Sequence, residues 1–198
     1  MALYTSDYLK GVASKNKLLF ENQKRGFSEK KVPENTEFDI FLSHSFLDKS
    51  DIQGLYQELS DFGFRVYVDW IVDPHLDRNN VTQSSASLIQ TRLKYSKSLL
   101  LAISTNVAMS KWMPWELGYV DGNTNKCAIV PVSNERNPPN FFKGTEYLLL
   151  YPFIKKARSE NGVDKLWVVE SEFNYSILDN WIVYGVIHKN RKVNIYNI

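Results

Sequence analysis

The sequence is poor in the residues that build cross-links and metal centres. It has one cysteine and three histidines among 198 residues. Cys127 alone can form neither an intrachain disulfide nor a cysteine-based zinc site, and such usage fits a reducing compartment, most simply the cytoplasm. His44, His75 and His188 are widely separated and no His-Glu-x-x-His spacing occurs, so no metal is expected. Charge of one sign is also missing: 24 basic and 22 acidic residues leave a net charge of +2. No global field is available for a polyanion, so nucleic acid is not an expected partner. Long hydrophobic runs are absent. Leu99–Ile103 falls far short of the roughly 20 residues that span a bilayer, and Met1–Phe20 lacks the apolar centre of a signal peptide, so no membrane is expected either. The glycine patterns Gly-x-Gly-x-x-Gly, Gly-x-x-x-x-Gly-Lys and Gly-x-Ser-x-Gly do not occur. That argues against a Rossmann dehydrogenase, a phosphate-cradling nucleotidase and a common triad hydrolase.

What is present is enough apolar residue, 43%, for one domain with a small appendage. Residues 1–36 form a polar, lysine-rich arm in which Tyr4, Tyr8 and Val12 can share a helical stripe. The arm reads as a docked or solvated helix rather than a basic patch for an acidic partner. Phe38–Leu42 then reads as a buried strand. A helix follows with Ile52, Leu55, Tyr56, Leu59 and Phe62 on one face, opened by a Ser50/Gln53 capping box and closed by Gly63. Phe64–Trp70 is a second strand, Ser84–Ser96 a helix, and Leu99–Ile103 a strand apolar on both faces. A short helix ended by Gly122 precedes strands at Cys127–Val132 and Tyr147–Tyr151. This alternation predicts an α/β domain with a parallel sheet, whose functional loops lie beyond the carboxyl ends of the strands. In the tail, Leu166–Val169 and Trp181–Ile187 are β-prone, and Lys189-Asn190 can turn a terminal hairpin toward Val193 and Ile195. Two of five tryptophans lie there, so the tail is expected to pack.

The stretch Ser104–Glu116 carries the most chemistry. Pro114 suits the first helical position, which puts Glu116 in a first turn near the end of the Leu99–Ile103 strand. A carboxylate there borders the crevice in which α/β proteins bind ligands. Locally, a first-turn glutamate is more often a capping residue, and Trp112 and Trp115 are more often packing than base-stacking residues. His44 alone reads as a loop hydrogen-bonder, and Ser104 and Ser110 as cap or turn residues.

The order of segments resembles a TIR (Toll/interleukin-1 receptor) domain. FDIFLSHSFLDK is similar to the bacterial form of the family's first-strand signature, GFRVYVDW to its second strand ending in an aspartate (Asp69), and SKWMPWE to the Ser-x-Trp-x-x-x-Glu segment of TIR enzymes. IVDPHLDRNN takes the place of the loop after the second strand, though the family's usual glycine is missing: none lies between Gly63 and Gly118. The resemblance implies a flavodoxin-like α/β fold of five parallel strands flanked by helices, over residues 37–154; the N-terminal arm (1–36) and a C-terminal extension (155–198), expected to be packed on the core, fall outside it.

It also implies NAD as substrate, with no resident cofactor, and Glu116 as the catalytic residue. Nicotinamide leaves NAD as a neutral molecule, so no general acid is needed. A single carboxylate can stabilise or capture the oxocarbenium-like ribose. Trp112 is expected beside the pocket, Ser43, His44 and Ser45 against nicotinamide or phosphate, and Asp69 and Trp70 at the mouth. The expected function is that of an NAD glycohydrolase or ADP-ribosyl cyclase, by family analogy in Thoeris-like antiphage defence. Self-association through TIR surfaces would complete the site, and a downstream effector would sense the product. The alternatives are a non-enzymatic TIR module acting by homotypic association and a nucleoside deoxyribosyltransferase-like enzyme that also sets a carboxylate against ribose.

Overall fold

Apolar runs alternating with amphipathic stripes give, in chain order, β1 (Tyr4–Thr5), α1 (Ser6–Lys15), α2 (Lys17–Glu29), β2 (Phe38–Ser45), α3 (Lys49–Asp61), β3 (Val66–Tyr67), α4 (Asp69–Val72) and α5 (Gln83–Lys94). There follow β4 (Ser96–Ser104), α6 (Met113–Thr124), β5 (Cys127–Ser133), a 3-10 turn (Glu146–Leu150), β6 (Phe153–Arg158), β7 (Asp164–Val169), β8 (Tyr175–Ile177) and α7 (Leu178–Tyr184). The computed structural model describes residues 4–45, 47, 49–76, 82–104, 112–135 and 146–188.

The sheet runs β3-β2-β4-β5-β6, and every neighbouring pair in that stretch is parallel. This is the strand order of a flavodoxin-like domain. Among the described residues the sheet has eight strands rather than five, because segments before and after the expected core add to it. β7 and β8 extend it antiparallel beyond β6, and β1 lies parallel to the carboxyl end of β5, pairing Tyr4 with Val132 and Thr5 with Ser133. Leu99–Ala102 and Cys127–Val130 are buried on both faces, as a covered parallel sheet requires.

The arm is docked. Thr5 accepts a hydrogen bond from the Tyr8 amide and caps α1. α1 lies on α3 with its backbone so close that a Cβ on Gly54 would stand 2.0 Å from the Leu9 carbonyl oxygen. Ser6 donates to Asp51 at 2.7 Å, and Tyr8 donates to Glu58, which also pairs with Lys156 of β6 at 2.9 Å. Arg92 of α5 is fully buried. Its Nε and Nη2 donate to the two oxygens of Asp73, both at 2.9 Å, and Tyr67 donates to the same carboxylate. The guanidinium also donates to the carbonyls of Val32 and Pro33, so one side chain ties the arm's connector to the end of α4.

Several expected elements differ. Tyr147–Tyr151 is not a strand: Leu148 is buried while Leu149 and Leu150 are exposed, the pattern of a short tight turn, and β6 begins after Pro152. Trp181–Ile187 is not a strand either. Leu178, Trp181 and Ile182 are buried at helical spacing in α7, and Lys126 donates to the carbonyls of Ile182 and Val183 at its end. The second strand is cut to Val66–Tyr67, because Asp69 already opens α4. α6 runs past Gly122 and ends where Asn125 adopts the left-handed conformation (φ 54°), which asparagine tolerates. Gly63, with φ 91°, does follow α3 as expected. Both tail tryptophans, Trp167 and Trp181, are buried. The expected hairpin around Lys189-Asn190 lies outside the described residues.

Candidate active site

The chain order reverses across β2: β3 lies on one side of it and β4 on the other. Such a switch point opens a crevice at the carboxyl ends of the two diverging strands. β2 ends in Ser43, His44 and Ser45, paired with Leu101, Ala102 and Ile103 of β4.

Glu116 reaches this place from α6. Pro114 sits in the first turn, and Met113, Glu116, Leu117 and Val120 are the buried residues of the helix. They recur at i, i+3, i+4 and i+7, so Glu116 occupies a position of the core-facing stripe that an apolar residue would ordinarily fill. Its side chain is fully buried, and it accepts a hydrogen bond from the Ser43 hydroxyl. Through this bond the carboxylate reaches the carboxyl end of β2.

His44, the next residue along β2, faces the other group of candidates. Its Nε2 is 3.9 Å from an Asp69 carboxylate oxygen, and its Nδ1 is 3.5 Å from the Leu42 carbonyl oxygen. Asp69 is buried and accepts the backbone N–H of Trp70 at 2.8 Å. Trp70 is half-buried, with its ring 6.0 Å from that of Phe20 in α2. Trp112 precedes α6 and meets Trp115 edge-on at 5.5 Å, and Trp115 in turn stands 6.5 Å from Tyr119. Trp115 is 37% exposed, so this aromatic group borders the surface. Ser104, at the end of β4, is buried. The Ser45 side chain, Ser110 and the loop residues Asp77–Asn80 lie outside the described residues.

Ser43 and Glu116 thus meet directly, and His44, Asp69 and Trp70 form a second group beginning one residue further along β2. The Arg92–Asp73 pair behind the second group was not anticipated from the sequence. Its signal was an arginine at stripe spacing with Ile89 and Leu93, both buried in α5. Among the described residues no cluster of histidine, cysteine, aspartate and glutamate could hold a metal ion, and no helix is long and apolar enough to cross a membrane.

The arrangement puts one buried carboxylate, met by a neutral hydroxyl, at the crevice of a flavodoxin-like sheet. Such a carboxylate can exchange that hydroxyl for a sugar hydroxyl, or face a cationic carbon.

Comparison with known proteins agrees with this architecture. A family model described as a TIR domain matches residues 40–167. A protein of Bacillus cereus (strain MSX-D12), named "Probable 3' cyclic ADP-D-ribose synthase ThsB'", is 43% identical over 154 residues, which cover 77% of this chain and 79% of the relative. A protein of Cytobacillus dafuensis, named "Putative cyclic ADP-D-ribose synthase TIR2", is 29% identical over 83 residues, which cover 41% of this chain and 22% of the relative. With well over half of its length matched and its sheet in flavodoxin-like order, the chain belongs to the TIR domain family.

Proposed function

We propose that this chain cleaves NAD between nicotinamide and ribose and joins the freed ribose carbon to an acceptor within the same molecule, making a cyclic ADP-ribose. The observation that carries the reading is Glu116, buried on the apolar stripe of α6 and hydrogen-bonded to Ser43 at the switch point. The names of the two relatives support the same chemistry, and the 43% identical one points to a cyclic product closed through a ribose hydroxyl.

The step balances without a cofactor. The bond between the ribose C1′ and the pyridinium nitrogen breaks, and its electron pair leaves with nicotinamide, now neutral. Glu116 stabilises the positive charge left on the ribose, or captures it transiently. An internal hydroxyl oxygen then forms the new bond to C1′, and its proton passes to Glu116 and on to water. If water is the acceptor, the product is ADP-ribose. Ser43 holds the carboxylate before substrate binds, Trp112 shapes the pocket beside it, and His44, Ser45, Asp69 and Trp70 line the approach. The enzyme works in the cytoplasm, self-associates through its TIR surfaces, and makes a signal read by a second protein in antiphage defence.

Incubation with NAD and mass analysis of the products tests this. The wild type is expected to release nicotinamide and a product one water lighter than ADP-ribose, with specific activity that rises as protein concentration rises. Glu116→Gln is expected to lose about a hundred-fold to a thousand-fold in turnover. Equal turnover by both proteins would overturn the assignment of Glu116, and linear product without water loss would overturn the cyclase.

A further inference from the structure

Trp70 gathers two positive charges. The Lys24 and Lys49 ammonium nitrogens lie 5.7 and 5.8 Å from the centroid of its ring. Lys24 comes from α2 of the N-terminal arm, outside the 40–167 match, and Lys49 opens α3 just after β2. Their approach is organised by the helix: Phe20 and Lys24 stand four residues apart on α2, and both contact Trp70, Phe20 with its ring at 6.0 Å. Neither ammonium has a carboxylate partner among the described residues. Two like charges drawn to one indole without a counter-ion repel each other, and an anion placed between them removes that repulsion.

The place suits a ligand. Ser43 and His44, successive residues of β2, point to opposite faces of the sheet at its carboxyl end: Ser43 meets Glu116 on one, and His44 meets Asp69, which Trp70 follows, on the other, so a ligand reaching from the carboxylate to the two lysines crosses the end of β2. A dinucleotide with its ribose at Glu116 carries its negative charge in the pyrophosphate, away from the bond that breaks.

We propose that Lys24, Lys49 and Trp70 form a subsite for the pyrophosphate of the dinucleotide, and that the N-terminal arm is therefore part of the substrate site. This rests on the NAD reading above. Each exposed ion pair contributes modestly, so each lysine is expected to account for a few-fold in affinity. The subsite binds; it does not act on the reacting bond.

Calorimetric titration with ADP-ribose and with adenosine, which lacks the phosphates, tests the proposal apart from turnover. Lys24→Gln is expected to weaken ADP-ribose about three-fold and Lys24→Glu about ten-fold, with adenosine unchanged and Lys24→Arg close to wild type. In the NAD assay, Lys24→Glu is expected to raise KM with kcat little altered, and the wild-type KM is expected to rise more with salt than that of the variant. ADP-ribose bound no more tightly than adenosine by the wild type, or equally by wild type and Lys24→Glu, would overturn the subsite. If the wild type does not turn over NAD at all, the proposed function fails while the titration still decides the subsite.

Discussion

Asp73 and Glu116 are both buried carboxylates, and their surroundings differ in kind. Asp73 is gripped by Nε and Nη2 of the Arg92 guanidinium and by the Tyr67 hydroxyl, and the same guanidinium holds three backbone carbonyls of the arm's connector, those of Val32, Pro33 and Glu34. Glu116 is met by the neutral hydroxyl of Ser43. A carboxylate clamped by a planar cation in a closed network is committed to the fold, because nothing from outside can replace a partner so well matched. A carboxylate held by a hydroxyl can trade it for the hydroxyl of a sugar. Burial marks both residues alike; what separates them is the guanidinium clamp at Asp73 and the Ser43 hydroxyl at Glu116.

The comparison can be broken most sharply at Arg92. Arg92→Ala strands the Asp73 charge in the interior, so a loss of about 3–5 kcal/mol is expected, or roughly 10 °C in melting temperature. Asp73→Asn in the same background should recover part of it. An Arg92→Ala protein that melts with the wild type would show that the clamp is not structural. Ser43→Ala is expected to act on the other scale. It removes one hydrogen bond to a charged group, about 1.5–3 kcal/mol at most in stability, while turnover falls about ten-fold because Glu116 is no longer oriented. The split between a small melting shift and a larger fall in kcat is the test. A fall in melting temperature as large as that of Arg92→Ala, with kcat intact, would place Ser43 with the scaffold.

A third buried ion gives the smallest effect and sharpens the contrast by pH. Lys155 of β6 is 4% exposed, with its ammonium 4.5 Å from the Phe153 ring centroid. Burial lowers its pKa to about 8, while an unfolded lysine titrates near about 10.4. Between those values the unfolded chain holds the additional proton, so the contribution of Lys155 makes the fold more stable as pH rises through that window. Subtracting the denaturation profile of Lys155→Met from that of the wild type should leave this rise. A flat difference would show that the amine is solvated.

The core was legible in the sequence wherever local pattern and tertiary role agree. Phe38–Leu42, Leu99–Ile103 and Cys127–Val132 are apolar runs, and each became a covered strand. The errors fall where composition and spacing conflict. Trp181–Ile187 is rich in β-formers, yet its buried residues keep helical spacing in α7. Tyr147–Tyr151 is apolar but exposes Leu149 and Leu150. The site was half legible. Glu116 stood out through its resemblance to the TIR enzyme segment, and its position on the buried stripe of α6 could have been read from Met113, Leu117 and Val120. Lys24 was not legible, because its partner Trp70 lies far along the chain and only the docking of α2 brings them together.

The pairing of β1 with β5 has a consequence for how the protein is made. Tyr4 and Thr5 leave the ribosome early, but Val132 and Ser133, the residues they pair with, follow after most of the chain. α1 can settle on α3 sooner, since Leu9 meets Gly54 across a far shorter stretch of sequence. Contacts so distant along the chain form slowly, so β1 is expected to pair with the carboxyl end of β5 after the central strands exist. Breaking the pairing of Tyr4 and Thr5 is therefore expected to disturb the carboxyl end of β5, the end of the sheet at which the candidate active site lies, before it disturbs the core.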